Sequence, residues 1–292
     1  MKKSVWIASS HLTESQGEIK KLLPFHPDGI VIKSALFLGD PLCKRACTTC
    51  AHSYRNKRFL VDPTLPDTYF TFHERQTCEY LFSEEVGDIL SWLKSSYPHV
   101  ERIASIIAKT QEDLVSMARF FEKKGAQIIE FNVQKYFQKT AGSSSVNQID
   151  AIVAMLQTIK QHTTLPIYAK LGPELLTRDV FKKLKGTVEG VTITNSFIYP
   201  RPNTWIQQSL KKRDKDECIV HGEPLWPYLK KFLPIARTYF DTVSASGGIH
   251  STKRACDAIA LGATSVQLCG AIQLYDPTII TTIKQSIEQS NT

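Results

Sequence analysis

Residues 244–273 read SASGGIHSTKRACDAIALGATSVQLCGAIQ and carry the clearest signal of the fold class. A strand signal ends near Ser246, a helix-period pattern covers Thr252 to Leu261, and a second strand signal ends near Cys269. Two strands joined through a helix are typical of a parallel sheet, because a parallel connection needs a crossover. The stretch therefore predicts an α/β fold.

The same alternation extends outward through the whole chain of 292 residues. Eight strand signals occur, ending near Ser9, Lys33, Ile107, Val133, Leu171, Asn195, Ser246 and Cys269. The runs 30–32, 128–133 and 191–194 read as nearly continuous apolar segments, as expected for strands covered on both faces. The repeated units predict a (β/α)8 TIM barrel, with residues 1–292 forming a single domain.

Helical patterns fill most of the intervals between strand signals. The best marked begins after Thr110, a suitable N-cap followed by acidic residues, and ends at Gly125. Others cover about 84–94, 148–161, 225–236, 252–261 and 277–288. Two stretches, residues 34–82 and 196–223, interrupt the alternation after strands two and six. Because loops after barrel strands build the active face, these long insertions are predicted to be lids or substrate walls.

Composition is that of a globular protein, with 42% hydrophobic and 22% charged residues. No apolar run approaches the roughly 20 residues of a membrane span, and the start, MKKSVWIASSHLTES, lacks a secretory apolar region. A cytoplasmic protein is therefore expected. The net charge of +8 is spread in short groups, which favours solvated faces over a nucleic-acid partner.

Small and polar residues stand at the ends of the predicted strands, where a barrel has its active face. They are Ser9, Lys33, Asn132, Lys170, Asn195, Ser196, Gly247, Gly248, Cys269 and Gly270. Glycines before helices seven and eight suit a phosphate, although tight turns explain them equally well. Lysine charge and asparagine amides suit a planar ring. A flat phosphate-bearing cofactor such as flavin mononucleotide (FMN) fits, whereas no G-x-G-x-x-G dinucleotide motif follows a strand.

Several stretches, in order along the chain, resemble the flavin-dependent dihydroorotate and dihydropyrimidine dehydrogenase family. They are VWIASS, GIVIKSALF, the segment from Arg102 to Val133, LPIYAKLGP, VEGVTITNS, HGEPLWPYLKKF and residues 244–273. The AKLGP and SVQLCGAIQ segments are most similar to the dihydropyrimidine dehydrogenase branch. The resemblance implies a barrel with FMN across its mouth, hydride transfer between a dihydropyrimidine-like substrate and the flavin, and a possible homodimer.

The resemblance also assigns residues. It places Ala8 and Ser9 along the flavin, with Lys33 and Ser34 at the ring edge and Lys33 also near substrate. Asn132 and Asn195 would bridge flavin and substrate, with Ser196 beside them, while Lys170 and Thr194 would contact the cofactor. The phosphate end would be wrapped by Gly222, Gly247, Gly248, Cys269 and Gly270.

The chain departs from the family after strand four. The family pattern L-N-L-S-C-P carries a cysteine or serine base, whereas residues 131–136 read FNVQKY and place Lys135 at that position. A lysine serves as a base only if burial or a nearby cation lowers its pKa toward neutrality. The alternative is an exposed Lys135 with no catalytic part. A barrel that binds flavin or phosphate without turnover therefore stays open.

A cysteine cluster gives two further alternatives. Cys43, Cys47 and Cys50 have the spacing of radical enzymes that hold a four-iron cluster, and Cys50 with His52 suggests a zinc site. Seven cysteines in all do not suit a complete disulfide framework, so reduced thiols of a covering loop are the simpler interpretation. A dihydrouridine synthase acting on transfer RNA would use the basic charge but has differently composed phosphate motifs.

Overall fold

Eight parallel strands close into a barrel in the computed structural model, which describes residues 3–36, 59–60, 70–74, 81–108, 110–133, 145–200 and 217–290. The strands in these ranges are β1 Ser4–Ile7, β2 Gly29–Leu36, β3 Phe59–Leu60, β4 Phe70–Glu74, β5 Leu81–Phe82, β6 Glu101–Ile106, β7 Ile128–Asn132, β8 Ile167–Leu171, β9 Gly190–Ile193, β10 Phe197–Pro200, β11 Glu217–Gly222, β12 Thr242–Ser246 and β13 Ser265–Leu268. The barrel order is β1, β2, β6, β7, β8, β9, β12 and β13, and β13 pairs with β1 to close it. The predicted (β/α)8 TIM barrel is confirmed.

The helices found in the described residues surround the barrel. They are α1 Gln16–Lys20, α2 Ser83–Ser96, α3 Gln111–Lys124, α4 Ser145–Lys160, α5 Arg178–Leu184, α6 Trp226–Arg237, α7 Thr252–Ala260, α8 Gly270–Leu274 and α9 Thr278–Gln289. The sequence predicted the six longer helices and missed α1, α5 and α8, which have only five to seven residues and show less than two helical periods. Among the described residues, no helix is both long and apolar enough to cross a membrane.

Local capping sets the ends of α3 where the sequence predicted them. The Thr110 side chain accepts a hydrogen bond from the Asp113 amide, and Gly125 ends the helix with φ +97°. Leu114, Met117 and Phe121 on its inner face are buried. Caps satisfy amides that lack partners within the helix, so these signals act over a few residues and are readable from sequence.

The barrel strands have an apolar outer face and a mixed inner face. Outward residues, such as Ile129, Ala169 and Val191, pack against the helices in the main core. Inward residues form an aromatic and aliphatic floor of Trp6, Val31, Ile103, Ile128 and Tyr168. Above this floor the inner face is polar, and the interpretation of the strands as nearly continuous apolar runs is wrong there: Glu130 and Thr192 lie buried within them.

The two insertions meet in one antiparallel sheet. Strands β3 and β4 come from the connection between β2 and β6, and β10 and β11 come from the connection between β9 and β12. They pair in the order β10, β11, β4 and β3, with His221 opposite Thr71 and Gly222 opposite Phe70. Because β10 begins four residues after β9 ends, this sheet starts at the carboxyl end of the barrel.

Tyr168 on the barrel floor yields a prediction for alkaline pH. Burial raises the pKa of its phenol to about 12, and the carboxylates of Glu101 and Glu189 act in the same direction. The folded protein therefore holds this proton more tightly than the unfolded chain, whose phenols titrate near pH 10. The contribution to the free energy of unfolding is complete below about pH 10 and is lost as the pH rises toward 12.

Tyr168→Phe removes the titrating group, so the variant should lose less stability than the native protein across this pH window. The expected difference is about 2 kcal/mol, from a shift of two pKa units that is only partly expressed by pH 12. Urea denaturation at a series of alkaline pH values measures it. Identical pH dependence in the two proteins would show that the Tyr168 phenol titrates normally.

Candidate functional site

The residues predicted for the site fall into two groups by exposure. Half-buried are Ser9, Lys33, Asn195, Gly247, Cys269 and Gly270. Buried are Ala8, Ser34, Asn132, Lys170, Thr194, Ser196, Gly222 and Gly248. The mouth thus combines partly accessible polar groups with a polar layer shielded from water, where hydrogen bonds and charges act strongly.

A break in strand register aims two neighbouring residues at the mouth. Ile32 pairs with Ala104 and Ala35 pairs with Ile106, so β2 has one more residue than β6 between these pairs. A bulge of this kind interrupts the alternation of side chains. Lys33 comes two residues after inward-facing Val31, so the alternation places it on the same inner face. The extra residue of the bulge lets the adjacent Ser34 face inward as well.

Hydrogen bonds establish the inward orientation of Ser34. Its hydroxyl is 2.8 Å from that of Ser105 on β6 and 3.3 Å from that of Ser9 after β1. Three strands therefore contribute to one line of hydroxyl groups. The resemblance assigned Ser9 to the length of the flavin and Ser34 to the ring edge, and in the structure their hydroxyls lie 3.3 Å apart.

Asn132 and Asn195, predicted to act together, are hydrogen-bonded to each other. The Asn195 side-chain amide donates to the Asn132 side-chain oxygen at 3.0 Å, although the residues are 63 positions apart. Within the described ranges, the Asn195 side-chain oxygen has no hydrogen-bond partner. The pair presents a fixed amide edge at the mouth, which suits a planar ring with donors and acceptors.

Thr194 and the glycines lie next to the asparagine pair. The Thr194 amide and hydroxyl both donate to the Ser246 carbonyl, at 2.6 and 2.9 Å, which ties β9 to the end of β12. Gly247 and Gly248 follow with φ +101° and +71°, and Gly222 has φ +94°. The carbonyl of Gly222 lies 3.2 Å from where a Gly248 Cβ would stand, so the predicted phosphate-end glycines are adjacent.

These glycines are required by the packing of the protein itself. A Cβ on Gly247 would lie 2.6 Å from Leu225 Cδ1 and 2.9 Å from Thr194 Oγ1. The tight-turn explanation therefore holds here. It does not compete with anion binding, because among the described residues the amides of Gly247, Gly248 and Gly270 donate to no backbone carbonyl.

A charged cluster behind the glycines fixes their loops. The Glu223 carboxylate accepts a 2.6 Å bond from the Arg254 guanidinium, which stacks 4.6 Å from the Trp226 ring. Buried His250 lies 3.7 Å from the same carboxylate, and its Nδ1 is 3.1 Å from the Gly248 carbonyl. Glu223 directly follows Gly222 and His250 is two residues after Gly248, so the cluster joins the two glycine loops.

A buried network below the mouth was missed at the sequence level. Glu130 accepts hydrogen bonds from Lys170 at 3.2 Å, Thr192 at 2.8 Å and Gln267 at 2.7 Å. Lys170 was predicted to add positive charge near the mouth, and its ammonium is paired with this carboxylate. The signal available in sequence was a glutamate within an apolar strand, two residues before Asn132 and hence on the same face.

The end of β13 contributes Cys269 and Gly270. The Cys269 thiol is 3.8 Å from the Gln273 amide, which also contacts the His11 ring. Lys135 and the cluster of Cys43, Cys47 and Cys50 lie outside the described residues. Within the described part of the chain, no group of three or more acidic, histidine or cysteine side chains is arranged to hold a metal ion.

Comparison with known proteins identifies the family of the chain. Residues 82–290 match the family model for dihydroorotate dehydrogenase. The dihydropyrimidine dehydrogenase subunit PreA of Escherichia coli, described as NAD-dependent, is 24% identical over 216 residues, covering 70% of this chain and 52% of that protein.

Two bacterial dihydroorotate dehydrogenases A (fumarate) are also similar. The protein of Limosilactobacillus reuteri is 26% identical over 200 residues, covering 64% of this chain and 62% of its own length. The protein of Lacticaseibacillus paracasei is 24% identical over 186 residues, covering 62% and 63%. The chain therefore spans between about half and just under two thirds of the relatives it matches.

Proposed function

The chain belongs to the dihydroorotate dehydrogenase family, and from this premise we propose that it is an FMN-dependent oxidoreductase acting on a dihydropyrimidine-like substrate. The observation that carries the proposal is the hydrogen-bonded pair of Asn132 and Asn195 at the barrel mouth, next to the loop of Gly247, which contacts Thr194. An amide edge and a set of open backbone amides on one mouth suit a ligand with a planar ring and a phosphate.

The residues present fit FMN. The loop of Gly247 and Gly248 would offer amides for the phosphate, at positions where a Cβ would lie 2.6 Å from Leu225 and 2.9 Å from Trp226, and Gly222 lies beside Gly248. Gly270 adds an amide at the start of α8, and Cys269 precedes it. Thr194, Lys170, Ala8 and Ser9 would hold the remainder of the cofactor, with Lys33 and Ser34 at the ring edge.

Bound FMN would supply the hydride acceptor for oxidation of a saturated C–C bond in the ring. Asn132 and Asn195 would orient the substrate, because their mutual bond fixes the direction of both amides. Ser196, buried beside Asn195, would line the same side of the substrate. Lys33 would contact the substrate from β2. A proton must also leave the ring, and Lys135 is our candidate to accept it in place of the family cysteine or serine.

The test is a reduction experiment. We expect the purified protein to be yellow and its flavin absorption to bleach anaerobically when dihydroorotate or dihydrouracil is added. The matched controls are orotate and uracil. Their rings are already oxidised and have no hydride to donate, so they should not bleach the flavin. A native protein that carries no FMN, even after incubation with it, would contradict the proposal.

The second candidate is a barrel that binds flavin or a phosphate ligand without turnover. The observation that favours it is Lys135 at the position of the family base. Such a protein would retain FMN but stay oxidised with every dihydropyrimidine. The same experiment therefore separates the two candidates, since binding and bleaching are measured independently.

A further inference from the structure

The network around Glu130 is a closed ring of three side chains inside the barrel. Lys170 donates to both Glu130, at 3.2 Å, and the Gln267 side-chain oxygen, at 3.1 Å, while the Gln267 amide donates back to Glu130 at 2.7 Å. Glu130 is 1% exposed, Gln267 2% and Lys170 5%. The three residues come from β7, β8 and β13, up to 137 positions apart.

The chemistry of the donors leaves one arrangement of this ring. Reversing the Gln267 amide would place its NH2 against the Lys170 ammonium and its oxygen against the Glu130 carboxylate. The Thr192 hydroxyl donates to the same carboxylate oxygen as Gln267. Glu130 thus accepts every bond that reaches it and orients Lys170 and Gln267 together.

The ring lies directly under the residues of the mouth. Lys170 is the register partner of Asn132 on the neighbouring strand, and Glu130 precedes Asn132 by two residues on the same face. Lys170 uses two of its three N–H donors within the described residues, which leaves one for a ligand. Buried ion pairs are often no more stabilising than apolar residues of similar volume, so fold stability alone does not account for this pair.

We propose that Glu130 is a positioning residue, which holds Lys170 and Gln267 beneath the cofactor and balances the lysine charge there. The inference rests on the proposed FMN site and adds a residue that acts through Lys170 rather than by touching the cofactor. Its consequence is electrostatic. With Glu130 present, bound flavin lies above a neutral pair; without it, the flavin lies above an uncompensated ammonium.

Glu130→Gln keeps the shape of the side chain and removes its charge. Reduced FMN is more negative than oxidised FMN, so the uncompensated Lys170 should favour the reduced form. We expect the equilibrium to shift toward reduced FMN by roughly tenfold, which is about 30 mV more positive for a two-electron couple. Spectroelectrochemical titration of the FMN-loaded protein measures this, and FMN titration of the apoprotein measures affinity.

Thr192→Val is the matched control. It removes one hydrogen bond from the same carboxylate without changing any charge. A purely structural role for the network would give both variants the same small effect on the potential. Our proposal requires the potential to move in Glu130→Gln and to stay at the native value in Thr192→Val.

A second pair of variants keeps the test decisive if Glu130→Gln does not fold. Lys170→Met removes the ammonium and leaves the Glu130 charge uncompensated, so it should shift the reduction potential in the negative direction. The double variant Glu130→Gln/Lys170→Met carries neither charge, so its potential should return toward the native value. Such opposite shifts with cancellation are expected only if the two charges act as a unit. Equal potentials in Lys170→Met and the double variant would overturn the proposal.

The outcomes also separate this inference from the proposed function. Native protein that binds FMN, with an unchanged potential in Glu130→Gln, overturns the role of Glu130 alone. Native protein that binds no FMN overturns the proposed function and this inference with it.

Discussion

Replacing Gly247 with alanine is expected to lower the free energy of unfolding by about 2 to 5 kcal/mol. Two costs add. The residue has φ +101°, which L side chains rarely adopt, and this strain accounts for about 1 to 3 kcal/mol. The new Cβ would also lie 2.6 Å from Leu225 Cδ1 and 2.9 Å from Leu225 Cβ, so Leu225 or the loop must move.

Gly186→Ala is the control that carries the backbone strain without the steric clash, so the difference between the two variants measures the clash. Gly186 has φ +80°, but a Cβ there would meet no heavy atom within 4 Å. This control should therefore lose only about 1 kcal/mol, from backbone strain. Urea denaturation of both variants and of the native protein gives the comparison. Equal losses in the two variants would mean that the packing around Gly247 adds nothing.

Gly247→Ala should also weaken FMN binding, because Thr194 and the Gly247 loop are in contact. Moving the loop displaces amides assigned to the phosphate, while Gly186 lies in an exposed turn before β9. We expect Gly247→Ala to lose FMN during purification and Gly186→Ala to retain it. Retention of FMN by Gly247→Ala, in a folded protein, would place the phosphate elsewhere.

Asn195→Ala is expected to lower kcat/KM for the dihydropyrimidine by about two orders of magnitude, the usual effect of removing one preorganised polar contact to the reacting group. Asn132→Ala should have a similar effect, since it removes the acceptor that orients the Asn195 amide. Because each residue orients the other, the double variant should lose little more than either single variant.

The measurement is steady-state turnover with an artificial electron acceptor, together with FMN content for each variant. Thr163→Ala serves as a control, because Thr163 bonds the Glu122 carboxylate on α3, and that pair belongs to the outer ring of the barrel. Strictly additive losses in the double variant would show that the two amides act separately. Native turnover in both single variants would remove them from the substrate site.

Much of the fold was predictable because its signals are local. Thr110 and Gly125 bound α3 through contacts of a few residues, and the ends of β8 and β12 lie at the predicted Leu171 and Ser246. The short helix α5 was missed, although the Thr177 side chain caps it by accepting from the Val180 amide. Its seven residues offer too little periodicity to detect without that contact.

The membership of the candidate site was also predictable, but its interactions were not. Glycine and asparagine at strand ends are visible in sequence, and barrel topology places strand ends on one rim. The pairing of Asn132 with Asn195 joins strands that are not adjacent in the barrel. Lys170 was predicted as a positive charge near the mouth, and nothing in its own segment reveals the carboxylate 40 positions earlier that pairs with it.

The order of strands and helices, the caps and the identity of the rim residues can be read from the sequence alone, since each depends on neighbours along the chain. Tertiary structure alone decided that Glu130, Lys170 and Gln267 form one ring and that two distant insertions share a sheet. Closing the barrel brings the inner faces of its strands together, and hydrogen-bond partners across that space are chosen by distance and chemistry rather than by sequence spacing.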